Sequence, residues 1–382
     1  MMNITLLGSL PPHKGISKYM SALLDGLDGV DNLHVDVLAF KNIYPDILYP
    51  GGTKDPSMRL AKDTKNIKIR NFLNWYNPIG WIYAGFTVRG DILHVQWWTY
   101  VLAPVYVTII LIAKYIRRKK IVVTVHNVKP HEGGLIKTLA NKMIVALGDR
   151  FIVHTDDGKK DFCDTYHKPV NIVDVVPHGI LMPDADIKNI TKSEARKQLN
   201  VPQDKKVILF FGIIREYKGL DILIKAMSEI IKKEPKAHLI IAGKPWEGWE
   251  KYEEIINYHD LNKSVQLNLE FIPEGDIEKY FRAADLVVLP YKHFDAQSGA
   301  GTLALPFGKA MIVTNTGGLP ELVVNKSVIA RVDDVQDLAT KIVLVLADEK
   351  LKSTLESDAR RLANELSWDA VAIRTQKTYN SL

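Results

Sequence analysis

Three short stretches of this 382-residue chain bring glycine together with cations or hydroxyls at spacings suited to holding an anion. The first is Gly8-Ser-Leu-Pro-Pro-His-Lys-Gly15. The second is Gly212-Ile-Ile-Arg-Glu-Tyr-Lys-Gly219, and the third is Gln297-Ser-Gly-Ala-Gly-Thr302. A glycine-bounded loop lets backbone N–H groups approach a phosphate, and a helix that starts just after it adds the positive end of its dipole. The second loop also carries Arg215 and Lys218, two cations able to offset a diphosphate and the charge that grows on a leaving nucleotide. The third offers bare amides and the hydroxyls of Ser298 and Thr302, the makings of an anion nest. The pair Gly317-Gly318 reads as a tight turn beside it. None of the three is a Walker A sequence or a GxGxxG fingerprint, so each alone is a weak signal.

The elements that position these loops follow from periodicity. Short apolar, β-branched runs at Ile4–Leu7, His34–Leu38, Ile92–Val95, Ile121–Val125, Phe151–Val153 and Ile172–Val175 predict six strands in the first half. A second set of six is predicted at Val207–Phe211, His238–Ala242, Val265–Leu269, Leu286–Leu289, Met311–Thr314 and Val328–Ala330. Helical spacing separates many of them, as in Ile16, Tyr19, Met20, Leu23, Leu24 and Leu27, or Leu220, Leu223, Met227, Ile230 and Ile231. Strands alternating with helices imply parallel sheets covered on both faces. A polar stretch near Met182–Lys205, with Pro183, Pro202 and a short helix pattern at Ser193–Leu199, separates the two series. The expected division is therefore residues 1–182 and 183–366, each Rossmann-like, with 367–382 as a terminal helix that crosses back to the first domain. Ligands of doubly wound sheets sit at the carboxyl ends of strands, so two such sheets facing a central cleft can share one anionic ligand.

Composition bounds the class. Hydrophobic residues make up 47% and charged residues 25%, as in an ordinary globular protein. The single cysteine, Cys163, rules out an internal disulfide and fits a reducing compartment. The first apolar run is too short for a signal peptide and reads as a strand, so the expected location is the cytoplasm. A net charge of +6 favours anionic partners. The apolar segment Tyr100–Ile116 falls short of the roughly 20 residues that span a bilayer and is followed by Arg117, Arg118, Lys119 and Lys120. A buried helix is the leading reading; an interfacial helix on the anionic cytoplasmic face of a membrane is the second.

The strings FFGIIREYKGLDILIKA, HLIIAGKPW, AADLVVLPY and GKAMIVTNTGGLPELV occur in this order. They resemble the donor-binding lobe of glycosyltransferase family 4, the "group 1" family with the GT-B fold. GSLPPHKGISKYMSALLDGL, DILHVQWW, VVTVHNVKPHE, FIVHTDDGKKDF and VVPHGI resemble segments of the other lobe, so the likeness covers nearly the whole chain. It implies a retaining, metal-independent transfer of a sugar from a GDP-, UDP- or ADP-linked donor to a glycan or lipid-linked acceptor, with no cofactor besides that co-substrate. Polysaccharide or glycolipid assembly is the implied setting.

Residue by residue, Lys218 matches the family's lysine on the diphosphate, and Gly15 its first-lobe loop glycine. Arg215 lies two residues beyond the usual place, which Ile213 occupies. His126 matches the histidine near the donor sugar. The expected donor set is completed by Gly212, Ser298, Gly299, Ala300, Gly301 and Thr302. Asn127, His131 and Glu132 are expected toward the acceptor. The family's two acids, spaced E-x7-E, fall on Asp295 and Leu303, or on Ala296 and Ala304 one residue along. Asp295 is kept as the acid toward the sugar, whereas Leu303 cannot accept a ribose hydroxyl. Metal-dependent transferases use a DxD spacing; Asp184-Ala-Asp186 has it but lies in the expected linker, so no metal site is expected. A GT-B epimerase is the alternative enzyme, set aside because no carboxylate cluster surrounds the sugar site. A catalytically weak nucleotide-sugar-binding module is the non-enzymatic alternative. Nucleic-acid binding accounts for the charge but not for the ordered motifs.

Overall fold

The structure is a computed structural model that describes residues 2–43, 54–55, 58–128, 135–180, 188–293 and 298–382. The chain divides into two compact units, Met1–Gly179 with Leu366–Leu382, and Ile180–Glu365.

The first unit is built on a seven-stranded sheet in the order β3-β2-β1-β4-β5-β6-β7, every pairing parallel. The strands are β1 (Met2–Gly8), β2 (Leu33–Asn42), β3 (Ile67–Asn74), β4 (Ile92–Trp97), β5 (Lys120–Val125), β6 (Arg150–Val153) and β7 (Val173–Val175). Central strands such as β5 are buried on both faces and therefore read as unbroken apolar runs. Helices α1 (Ser17–Asp28) and α13 (Trp368–Asn380) cover one face, where Met20, Leu23, Leu27, Val371 and Tyr379 pack on Ile4, Leu6 and Val122. The other face lies under α2 (Pro78–Phe86), α3 (Ala103–Leu111), α4 (Leu135–Leu147) and α5 (Asp156–Tyr166).

The second unit holds a six-stranded parallel sheet in the order β10-β9-β8-β11-β12-β13. Its strands are β8 (Lys206–Phe211), β9 (Ala237–Ala242), β10 (Val265–Asn268), β11 (Leu286–Leu289), β12 (Ala310–Thr314) and β13 (Ile329–Ala330). The helices are α6 (Lys192–Gln198), α7 (Leu220–Lys233), α8 (Glu250–Tyr258), α9 (Ile277–Ala283), α10 (Gly299–Ala304), α11 (Val335–Ala347) and α12 (Glu349–Glu365). Helix α7 buries Leu220, Leu223, Met227 and Ile230 of the stripe its spacing predicts, adds Ile224, and leaves Ile231 half-buried. Beneath the sheet's amino-terminal edge, buried Asp285 accepts from the Val207 amide at 2.7 Å, from Arg196 at 2.7 Å and from Lys192.

All twelve expected strands have a counterpart, and the sheet of the first unit has a thirteenth. Strand β3 is an edge strand whose residues are mostly half-exposed, so Lys68, Arg70 and Asn71 interrupt the apolar signal. The segment Tyr100–Ile116 is not one helix. It opens with a 3-10 turn at Tyr100–Leu102, continues as α3 and ends in a π-helical turn at Ile112–Ile116. It is buried along Val105, Tyr106, Ile109, Ile110 and Ala113, yet Leu111, Tyr115 and Ile116 face solvent. No helix among the described residues is long and apolar enough to cross a membrane.

Candidate functional site

The strand order of the second unit reverses between β8 and β11, and ligands of such sheets collect at that switch point, beyond the strands' carboxyl ends. The loops that leave these two strands carry the second and third glycine stretches, and a cavity of about 380 Å³ opens between them. Arg215, Lys218 and Tyr217 line it from the β8 loop, together with Phe211, Gly212 and Ile213; Tyr291, Ser298, Gly299 and Ala300 line it from the other side.

The backbone of the β8 loop is set by glycine at both ends. Gly212 turns the chain with φ 105°, and a side chain there would press on the Lys218 ammonium at 3.3 Å. Gly219 has φ 65°, and a Cβ would stand 2.0 Å from the Pro290 carbonyl oxygen, so only glycine lets α7 start this close to the β11 loop. Between them the chain forms a 3-10 turn at Glu216–Lys218, with the Lys218 amide donating to the Arg215 carbonyl at 2.9 Å. Asp221 and Lys292 pair at 3.1 Å and tie the start of α7 to the segment after β11.

The two cations are held by aromatic rings. Arg215 stacks its guanidinium 3.9 Å from the centre of the Trp246 indole, an attraction that orients it and leaves its N–H edges available. The Lys218 ammonium lies 5.7 Å from the Tyr291 ring centre. Neither cation has an ion-pair partner among the described residues. Burial and then the like charge of Arg215 pull the Lys218 ammonium down from its ordinary value to about 8. An anion in the cavity relieves both penalties, since it supplies opposite charge beside the two cations.

Opposite the cations, Tyr291 is buried and its hydroxyl meets the Ser298 hydroxyl at 3.0 Å. Ser298 caps α10 by accepting from the Gly301 amide at 3.3 Å. Gly301 and Thr302, expected within the anion-binding set, stand behind the cavity wall. A Cβ on Gly301 would collide with Leu322 and Leu289, and the Thr302 hydroxyl donates to the Ser298 and Gly299 carbonyls. Their part is to shape the wall that Ser298, Gly299 and Ala300 present. Leu303 is half-buried on α10 and does not line the cavity.

In the first unit, Gly15 has φ 86° and nothing within 4 Å of where its Cβ would be. His126 follows β5 and belongs to a chain of buried polar groups that sequence reasoning did not anticipate. The Tyr379 hydroxyl meets His94 Nδ1 at 2.7 Å, and His94 Nε2 lies 2.7 Å from the Thr124 hydroxyl and 3.2 Å from the Gln96 amide. The Gln96 amide reaches His126 Nε2 at 2.9 Å, and His126 Nδ1 lies 3.2 Å from His154 Nε2. His154 Nδ1 ends the chain on the Val176 carbonyl at 2.9 Å. Tyr19 sits among these rings, with centroids 4.8 Å from His126 and 5.4 Å from His154.

Protonation follows from the end of that chain. Burial holds His94 down to about 3 and His154 to about 4, and drives His126 well below its ordinary value, with His154, His178 and His94 adding to the effect. All three rings are therefore neutral at pH 7. The Val176 carbonyl only accepts, so His154 carries its proton on Nδ1 and offers a lone pair at Nε2. His126 must then donate from Nδ1, which leaves its Nε2 to accept from the NH₂ end of Gln96. His94 donates from Nε2 and accepts from Tyr379 through Nδ1. The structure turns Gln96 Oε1 to His126 and its nitrogen to His94, and exchanging the two ends of that amide lets one direction of hydrogen bonding close the whole chain with neutral rings.

Asn127 donates from Nδ2 to the Trp98 carbonyl at 3.3 Å. His131, Glu132, Asp295 and the Asp184-Ala-Asp186 spacing lie outside the described residues. Trp246 and Tyr291 are the additions the structure makes. Both stood inside quoted strings, as the last residues of HLIIAGKPW and AADLVVLPY, but an aromatic residue after a strand is not by itself a signal for cation stacking.

Residues 191–362 match the family model described as "Glycosyl transferases group 1". A D-inositol 3-phosphate glycosyltransferase of Corynebacterium jeikeium is 26% identical over 261 residues, which is 64% of this chain and 60% of that protein. The matched region thus spans only about three fifths of the curated relative's own length. Among solved structures, Anabaena Alr3699/HepE in complex with UDP superposes with a TM-score of 0.69 at 18% identity, covering 100% of both chains. The catalytic domain of starch synthase IV from Arabidopsis thaliana, bound to ADP and acarbose, gives 0.67 at 14% identity over 100% of this chain and 99% of that one. These likenesses show the fold, two parallel-sheet α/β units of the GT-B kind. The cation-lined cavity at the β8–β11 switch point lies within residues 191–362, the part of the chain that matches the group 1 glycosyl transferases.

Proposed function

We propose that the protein is a retaining, metal-independent glycosyltransferase. It moves a sugar from a nucleotide-diphosphate donor to a glycan or lipid-linked acceptor, in polysaccharide or glycolipid assembly in the cytoplasm. One observation carries the reading most: Arg215 and Lys218 line a cavity at the switch point of a doubly wound sheet, and among the described residues neither has an ion-pair partner. A diphosphate is the ligand that such a site lacks. The relatives and neighbours named above include proteins solved with UDP and with ADP, which agrees with a nucleotide in that place.

In this reading Lys218 and Arg215, with the amides of Ser298–Ala300, hold the donor diphosphate. They stabilise the charge that develops as the anomeric C–O bond breaks. The acceptor hydroxyl attacks from the face the nucleotide leaves, and the departing phosphate oxygen takes its proton. Cations already in place remove the need for a divalent metal at the diphosphate. His126 and Asp295 are assigned to the donor sugar by family resemblance, and Asn127, His131 and Glu132 to the acceptor.

The test is thermal shift and turnover with UDP-, GDP- and ADP-sugars against a panel of glycan and lipid-linked acceptors. One nucleotide series should stabilise the protein, and a Lys218→Ala variant should lose about 10²–10³ in rate. Chelator should leave the rate unchanged. Near-normal turnover of Lys218→Ala refutes the assignment of the diphosphate site. The half-buried Leu303 on α10 favours one second reading, a weak nucleotide-sugar-binding module, which the same assay identifies as stabilisation without transfer.

A further inference from the structure

Helix α2 is amphipathic the wrong way round. Ile79, Ile82, Tyr83 and Phe86 recur at i, i+3, i+4 and i+7 and are 79%, 46%, 59% and 46% exposed. The only residues it buries are Ala84 and Gly85. Gly85 lets α2 lie against the segment after α3, since a Cβ there would stand 2.7 Å from the Ile112 Cβ. That segment adds Tyr115 and Ile116, 64% and 59% exposed. Helix α4, packed on the other side of α3, adds Leu139 and Met143 at 61% and 41%. All three helices cover the same face of the first sheet, so these side chains form the outer surface of one layer.

The helices that carry these side chains bear charge of one sign, although α5 elsewhere in the layer carries Asp156, Asp157, Asp161 and Asp164, and Lys114 pairs with Asp149 at 2.7 Å. Helices α2, α3 and α4 and the π-helical turn contain no Asp or Glu, whereas Lys114, Lys137 and Lys142 lie within them. Exposed Arg117 and Arg118 follow directly on Tyr115 and Ile116. A soluble helix normally turns its charged residues outward, as the highly charged α12 does. A contiguous apolar surface rimmed by cations marks an interaction site.

We propose that this surface docks the first unit on an anionic lipid bilayer. Ile79, Ile82, Phe86 and Ile116 enter the headgroup–acyl boundary, and Tyr83 and Tyr115 keep their hydroxyls at headgroup depth. Arg117 and Arg118 meet the lipid phosphates. Charge complementarity selects this occupant, because a second copy of the chain would set like charges against one another. The proposal goes beyond the donor reading and stands or falls independently of it.

The test is co-sedimentation of the full chain with phosphatidylcholine vesicles, with and without phosphatidylglycerol. The wild type should bind the anionic vesicles and lose them at high salt. Each cation at the surface is worth about fivefold in partition, so Arg117→Gln with Arg118→Gln should weaken binding about 30-fold. Ile79→Ser with Phe86→Ser should weaken it by at least about tenfold while leaving the melting temperature unchanged, since both side chains are exposed. Equal binding to neutral and anionic vesicles, or no loss in either double variant, overturns the proposal. So does a dimer by light scattering that Ile79→Ser with Phe86→Ser abolishes, in a wild type that ignores vesicles.

Discussion

Raising the pH should loosen donor binding well before any ordinary lysine titrates. Lys218 has its pKa lowered to about 8 by burial and by Arg215. A diphosphate needs the protonated form, so affinity is full below about pH 7 and falls as pH rises through 8. With a pKa of about 8, the protonated fraction drops about tenfold between pH 7 and pH 9, equivalent to about 1.4 kcal/mol of binding. The assay is isothermal titration with whichever sugar nucleotide stabilises the protein most, since its diphosphate has no ionisation in this window. A Lys218→Arg variant separates the cause, because a guanidinium stays charged throughout and should bind with a flat pH profile. It also removes Lys309 as an explanation. That amine is likewise held near 8 by burial, but it donates to the Ala284 carbonyl at 2.9 Å and is untouched by the substitution. Wild-type affinity unchanged from pH 7 to 9.5, or an equal fall in Lys218→Arg, refutes the placement of Lys218 on the diphosphate.

Three further outcomes follow from the buried polar groups. Nitrogen-15 NMR at pH 7 should find His126 and His154 as neutral Nδ1–H tautomers and His94 as the Nε2–H tautomer; an imidazolium at any of them breaks the proposed chain. Because their folded pKa values lie below the unfolded 6.5, the unfolded chain binds protons first and stability is lost as pH falls from 6.5 toward 4. His154 alone should contribute about 3 kcal/mol of that loss, visible in denaturant melts as a weaker acid dependence in His154→Asn. In the second unit, Arg196→Ala leaves Asp285 buried without its main partner and should cost about 3–5 kcal/mol, whereas exposed Arg331→Ala should cost under about 1 kcal/mol in the same melts.

How much of this could be read in advance depended on burial. Strands covered on both faces, such as β5 and β8, announce themselves as apolar runs, and so did the helix stripe of α7. Strand β3 did not, because an edge position leaves Lys68 and Arg70 as acceptable as valine. Arg215 and Lys218 were legible from the glycines around them. Trp246 was not, since its pairing with Arg215 exists only once Ile214 and Pro245 bridge the β8 and β9 loops. The His94–Gln96–His126–His154 chain was equally hidden: alternate residues of one strand meet those of two neighbours and a helix hundreds of positions away. Reading Tyr100–Ile116 as a buried helix held for Val105, Tyr106, Ile109 and Ile110 but not for Leu111, Tyr115 and Ile116, as apolar composition cannot tell a core-facing residue from an outward one.

The placement of α13 has a consequence for how the protein is made. Its Val371, Ala372 and Tyr379 complete the hydrophobic core over α1, and Gly26 exists where it does because the Trp368 carbonyl would crowd any larger residue. During synthesis, residues 2–179 leave the ribosome long before this closing piece, with the whole second unit emerging between them. Until then α1 presents a bare greasy trough and His94 lacks its tyrosine. A nascent chain halted after the second unit should therefore be captured by chaperones at its oldest part, not its newest, and adding a peptide of residues 366–382 should release it.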